Sequence, residues 1–168
     1  MKKILSLIGF LFIINSAAKA QCGVCTVNIN DIDTSSYTLT VGQILCIDSN
    51  GVVKGNVILN GGVICNKGIF KPENFTCTLG EITNNGNMSF PGAITLSTGS
   101  ILNNGVSSVI NFAGTLTISG ANFMNNGVMN IETNIQNNSG TVLNNSIINC
   151  QQVLGAGTLT NNGVINSN

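Results

Sequence analysis

Gly62-Val-Ile-Cys-Asn66-Lys-Gly68, Gly80-Glu-Ile-Thr-Asn84-Asn-Gly86, Gly99-Ser-Ile-Leu-Asn103-Asn-Gly105, Ala121-Asn-Phe-Met-Asn125-Asn-Gly127, Gly140-Thr-Val-Leu-Asn144-Asn-Ser146 and Gly157-Thr-Leu-Thr-Asn161-Asn-Gly163 share one template. The template is G-x-apolar-x-N-[NK]-[GS]. Its anchor asparagines are spaced by 18, 19, 22, 19 and 17 residues, a mean of 19. That is the length of one solenoid coil. Two residues before the anchors stand Ile64, Ile82, Ile101, Phe123, Val142 and Leu159, all apolar. A polar tract that never folds has no reason to keep one position apolar throughout.

Three residues after the anchors come Ile69, Asn87, Val106, Val128, Ile147 and Val164, and six after them Phe90, Val109, Ile131 and Cys150 continue an inward pattern. Each coil therefore reads as short period-2 strands bent at an Asn-Gly corner. One coil cannot bury its apolar row alone, but coils stacked at ~4.8 Å join their rows into a continuous core. The expected fold is all-β: a single-stranded parallel β-helix of about 19-residue coils with an N-terminal cap. Gly68, Gly86, Gly105, Gly127 and Gly163 are expected to supply positive-φ corners, with the glycines four before the anchors serving the preceding bend.

The anchors Asn66, Asn84, Asn103, Asn125, Asn144 and Asn161 have two readings. An amide offers both donor and acceptor, so they could face outward and bind sugar hydroxyls. Alternatively they form a ladder, each amide bonding to the next coil. The ladder is preferred, because strict register is what stacking requires.

Residues 1–20 read as a secretory signal peptide. Lys2 and Lys3 precede the apolar run Ile4 to Ile14, and Ala18 and Ala20 stand before a cut ahead of Gln21. Eleven residues are too few to cross a bilayer, which takes about 20, so no membrane span is expected after cleavage. Residues 21–36 read as the cap segment and 37–168 as the repeat domain. The final repeat stops in mid-coil at Val164 to Asn168, an end with no matching cap and a candidate surface for self-association.

Exported chains permit disulfides. Cys46 and Cys65 lie one coil apart and are the candidate pair. Cys22 and Cys25 are expected in a cap disulfide, internal or to Cys77, and Cys150 is expected as a buried free thiol. A zinc site at the N-terminal group would need four thiolates, since the chain has no His. No metal or other cofactor is expected.

A signal peptide, a Cys-containing N-terminal segment and Asn-Gly coils over residues 37 to 168 together resemble the secreted β-solenoid surface and adhesin-type proteins of Gram-negative bacteria, particularly Bacteroidota. The resemblance implies a structural or adhesive role and carries no catalytic signature.

Composition agrees. The chain has no His, no Arg and no Trp, and beyond Glu81 its only acidic or basic side chain is Glu132. No Ser-His-acid, Cys-His or paired-carboxylate arrangement can be assembled, so catalysis is not expected. After cleavage three lysines face six carboxylates, which argues against nucleic acid. The leading expectation is a secreted structural or adhesive module of the cell surface or extracellular matrix, with glycans or other surface proteins as partners. Two alternatives remain. Thr38-Leu-Thr40, Thr76-Cys-Thr78, Thr95-Leu-Ser97, Thr115-Leu-Thr117 and Thr158-Leu-Thr160 resemble hydroxyl ranks of ice-binding solenoids, although counted from the anchors they do not align. Neutral, Asn-rich coils could also self-assemble into fibres.

Overall fold

The computed structural model describes residues 22–167. The signal-peptide reading therefore falls outside the described residues. The chain is a parallel β-solenoid with three faces, and among the described residues there is no helix. Face one holds Val27–Ile29, Ile44–Ile47, the second halves of the long strands Val57–Asn66 and Phe75–Asn84, then Ser100–Asn103, Asn122–Asn125, Thr141–Asn144 and Thr158–Asn161. Face two holds Ile32–Asp33, Val52–Val53, Ile69–Phe70, Asn87–Phe90, Val109–Phe112, Val128–Ile131, Ile147–Cys150 and Val164–Ser167. Face three holds Tyr37–Thr40, the first halves of the two long strands, Ile94–Leu96, Leu116–Ile118, Asn134–Asn137 and Gln152–Leu154. Residues 27–33 thus already pair as strands, Val27 beside Leu45 and Ile32 beside Val52.

The core is a set of vertical columns. Leu45, Ile64, Ile82, Ile101, Phe123 and Val142 stack on face one, each no more than 2% exposed. On face two Phe90 and Phe112 stack with centroids 5.0 Å apart, and Phe70 meets Phe90 edge-on at 6.0 Å. Such ring pairs add about 0.5–1.5 kcal/mol each beyond the area they bury.

The row three residues after the anchors does not point inward. Ile69, Val106, Ile147 and Val164 are 43%, 88%, 38% and 53% exposed. The anchors Asn66 to Asn144 are themselves buried, two residues make the corner, and the next strand resumes on the outward step of the alternation. The inward residues come one later, at Phe70, Met88, Met129 and Ile148. After Asn103 the corner holds three extra residues, Val106–Ser108, closed on themselves by Ser108, whose amide donates to the Gly105 carbonyl at 3.0 Å. The insertion carries Val109 to the outside, and the column ending at Cys150 is Phe90, Phe112 and Ile131.

The corner glycines also differ from expectation. None of Gly68, Gly86, Gly105, Gly127 and Gly163 has positive φ. A Cβ on Gly68 would instead lie 2.2 Å from the Asp48 carbonyl oxygen, and one on Gly163 would lie 2.0 Å from that of Ser146. Four of these glycines let one coil's corner sit on the next; Gly105, beside the insertion, has no neighbour nearer than 3.7 Å. Positive φ belongs to the bend before face one, as at Gly99 with φ 95°.

Near the N-terminal end the Tyr37 hydroxyl donates to Asp33 Oδ2 at 2.6 Å, and the Ser35 amide donates to Asp33 Oδ1 at 2.6 Å. Burial, with the Asp33 carboxylate beside it, pushes Tyr37 up to about 12, while the Tyr37 and Ser35 donors hold Asp33 below its ordinary value. Tyr37 is the only tyrosine, so phenolate absorbance reads it alone. The folded protein should titrate near 12 and the urea-unfolded chain near the ordinary 10. Because the folded value is raised, this stabilisation is complete below pH ~10 and lost as pH rises toward 12. Asp33 has the opposite sign: its contribution is present above its ordinary 3.8 and disappears in acid. A native midpoint at 10 would remove the Tyr37–Asp33 bond from the description.

Candidate functional site

The anchors form a continuous internal ladder. Asn66 Nδ2 donates to Asn84 Oδ1 at 2.7 Å, Asn84 to Asn103 at 2.9 Å, Asn103 to Asn125 at 2.8 Å, Asn125 to Asn144 at 2.9 Å and Asn144 to Asn161 at 2.8 Å. The second N–H of each interior amide goes to strand carbonyls such as Val128 and Ile147. Asn66 through Asn144 are 0% exposed, so these amides do not meet a ligand. The ladder starts at Asn66, whose Oδ1 lies above Ile47 of the preceding coil and has no partner.

A second ladder faces solvent and escaped the anchor-based reading. On the outer surface of face two, Asn166 Nδ2 donates to Asn149 Oδ1 at 2.7 Å, Asn149 to Asn130 at 2.7 Å and Asn130 to Asn111 at 2.8 Å. Its signal in the sequence is an asparagine five residues after an anchor, at 130, 149 and 166; the three extra residues move Asn111 to eight after Asn103. Next to it an open cleft of about 310 Å³ is lined by Asn130, Ile131, Glu132 and Asn149.

On face three the outward column is Thr38, Ile58, Thr76, Thr95, Thr117, Gln136 and Leu154. Register brings Thr117, not Thr115, beside Thr95. Three hydroxyl positions are contiguous, with Ile58 and Gln136 on either side.

The disulfides are not the pair read from spacing. Cys46 and Cys65 are register partners one coil apart, but Cys46 bonds Cys25 and Cys65 bonds Cys22, with Cα separations of 5.7 and 5.9 Å. In-register side chains on parallel strands leave the sheet side by side, so their sulfurs aim at whatever lies above them rather than at each other. Here that is the arm Cys22–Thr26, whose last residue joins the sheet through its amide to the Ile44 carbonyl at 2.9 Å. The cap bond considered within Cys22–Cys25 or to Cys77 is accordingly absent.

Cys77 and Cys150 are both buried free thiols. Burial pushes Cys77 up to about 11 and raises Cys150 in the same direction. Thiolate is the reactive form, so both should be inert to Ellman's reagent in the native protein and release two equivalents on denaturation. Prompt native reaction would contradict their placement in the core. Two disulfides fit an extracellular protein. No helix among the described residues is long and apolar enough to cross a membrane.

Fold and site together define a disulfide-stapled parallel β-solenoid with stacked asparagine ladders. No protein-family model, curated protein or solved structure matches the chain.

Proposed function

We propose that the protein is a secreted, non-catalytic structural and adhesive solenoid of the cell surface or extracellular matrix, with glycans as its target. The observation that supports this reading is the repetition of outward amides at one per coil, held in register by their own hydrogen bonds. Individually weak contacts at fixed spacing add along an axis, and a rigid support removes the ordering cost of assembling them. The test is a glycan array and cell-surface binding assay on the chain from Gln21 to Asn168, with light scattering on the same sample. Saturable binding by that chain is expected; a blank array would sink the adhesive reading. The same sample should show no thermal hysteresis on cooling, because the hydroxyl run on face three is only three coils long.

A further inference from the structure

The outer surface of face two is built as two parallel rows. One is Val109, Val128, Ile147 and Val164; the other, two residues further on, is Asn111, Asn130, Asn149 and Asn166. Ile147 and Val164 are 38% and 53% exposed, so the first row offers apolar surface to solvent. In the second, Asn130 and Asn149 each commit one N–H and one oxygen lone pair to the ladder. An amide has two N–H donors and two acceptor lone pairs, so each keeps one of each, fixed in direction by the ladder. Past the amide row stands exposed Glu132, the only carboxylate side chain after Glu81, on the cleft it shares with Asn130, Ile131 and Asn149.

We propose that this strip binds an extended, neutral polysaccharide laid along the solenoid axis. The C–H faces of the sugar rings lie on the valine and isoleucine row, their hydroxyls pair with the free amide groups, and two neighbouring hydroxyls donate to Glu132. This rests on the glycan reading above and names its site and ligand class. Three features select the ligand. Sugars combine an apolar ring face with a hydroxyl edge, and face two sets an apolar row beside an amide row. Coils repeat every ~4.8 Å, roughly one ring of a fully extended chain, so successive rings meet successive amides. A carboxylate accepts hydroxyl protons but repels an anionic sugar, and no basic side chain follows Lys71 to reverse that preference. Face three lacks this pairing, mixing Thr95, Thr117, Gln136 and Leu154 in its outward column. Face one sets Leu102, Met124 and Leu143 two residues before an amide ladder of its own, Asn162 to Asn145 to Asn126, and what distinguishes face two is the Glu132 carboxylate beyond its amide row.

The test is calorimetric titration of the chain from Gln21 to Asn168 with cellohexaose, chitohexaose and maltohexaose. At least one of the two extended β-1,4 chains should bind, with affinity increasing from the disaccharide to about four sugars, one per amide. Maltohexaose, whose α-1,4 linkage coils, should bind about tenfold more weakly or less, because losing even one charge-assisted hydrogen bond costs that much. Glu132→Gln and Asn149→Ala should each weaken binding about tenfold, and Thr117→Ala on face three should not. Thermal melting separates lost contact from lost fold: exposed Glu132→Gln should melt with the wild type. Equal binding of coiled and extended chains, or binding indifferent to both face-two substitutions, would overturn this site while leaving glycan adhesion standing. So would failure of both extended chains beside a positive glycan array. A blank array would overturn both.

Discussion

Asn103→Asp should lower the stability of the folded chain by about 3–5 kcal/mol at neutral pH, roughly 10 °C or more in the melting midpoint. Asn103 sits in the middle of the internal ladder with no exposure. Its Nδ2 donates to Asn125 Oδ1 at 2.8 Å and to the Val128 carbonyl at 3.2 Å, while its Oδ1 accepts from Asn84 at 2.9 Å. The substitution keeps the shape and the acceptor, but replaces the donor with an oxygen facing two other oxygens. It also buries a charge with no cation nearby. The new carboxyl would resist ionisation, so its folded pKa would rise above the ~3.9 of the unfolded chain. A raised folded value means the defect is smallest in acid and grows as pH climbs through it, and the melting curves of the variant should recover toward wild type below pH 4. The adjacent Asn104→Asp is the control. Asn104 donates to Asn85 Oδ1 at 2.9 Å on the exposed side of the same corner, and its loss should cost less than about 1 kcal/mol. If the two variants melt together at neutral pH, the internal ladder does not stabilise the stack.

That contrast between neighbours marks what the sequence makes legible. The coil length, the parallel stacking and the ladder all follow from one position kept as Asn and another kept apolar in every repeat. A stacked fold forces equivalent residues into equivalent places, so periodicity and structure carry the same information. Parity after the corner was not recoverable in the same way. Whether Ile69 or Phe70 turns inward depends on how many residues the corner consumes, and both are apolar. The insertion at Val106–Ser108 was hidden for a related reason, since Ser107 and Ser108 look like any other polar corner residues. The face-two amides are less legible, because the position five after the anchor is Lys71, Ser89 and Ser108 in the first three repeats and becomes Asn130, Asn149 and Asn166 only in the last three. The cleft at Glu132 depends on which way an outward strand faces once the corner parity is known, so it became visible only in three dimensions.

The cysteines show the limit of spacing most clearly, and the arm they hold gives the second large expected effect. Cys22 and Cys25 pin the Cys22–Thr26 arm across two coils, to Cys65 and Cys46. The bonds span 43 and 21 residues, and the chain-entropy estimate for loops of that size is about 3–4 kcal/mol each. The loops are nested, so the second bond closed adds less than it would alone. Removing both through Cys22→Ser with Cys25→Ser should cost about 4–6 kcal/mol at the N-terminal end. Hydrogen exchange should rise first in 27–47, while the coils beyond Asn84, which contact only their neighbours, keep their protection. The pairing itself is decided by a non-reducing digest that cuts before aspartates and after lysines. Fragments 21–30, 33–47 and 55–67 separate Cys22 and Cys25 from Cys46 and from Cys65. The arm geometry requires all three to travel as one cross-linked species that falls apart on reduction. Joined 33–47 and 55–67 beside a free 21–30 would instead restore the direct Cys46–Cys65 bond, and the arm would then have no covalent hold on the face it covers.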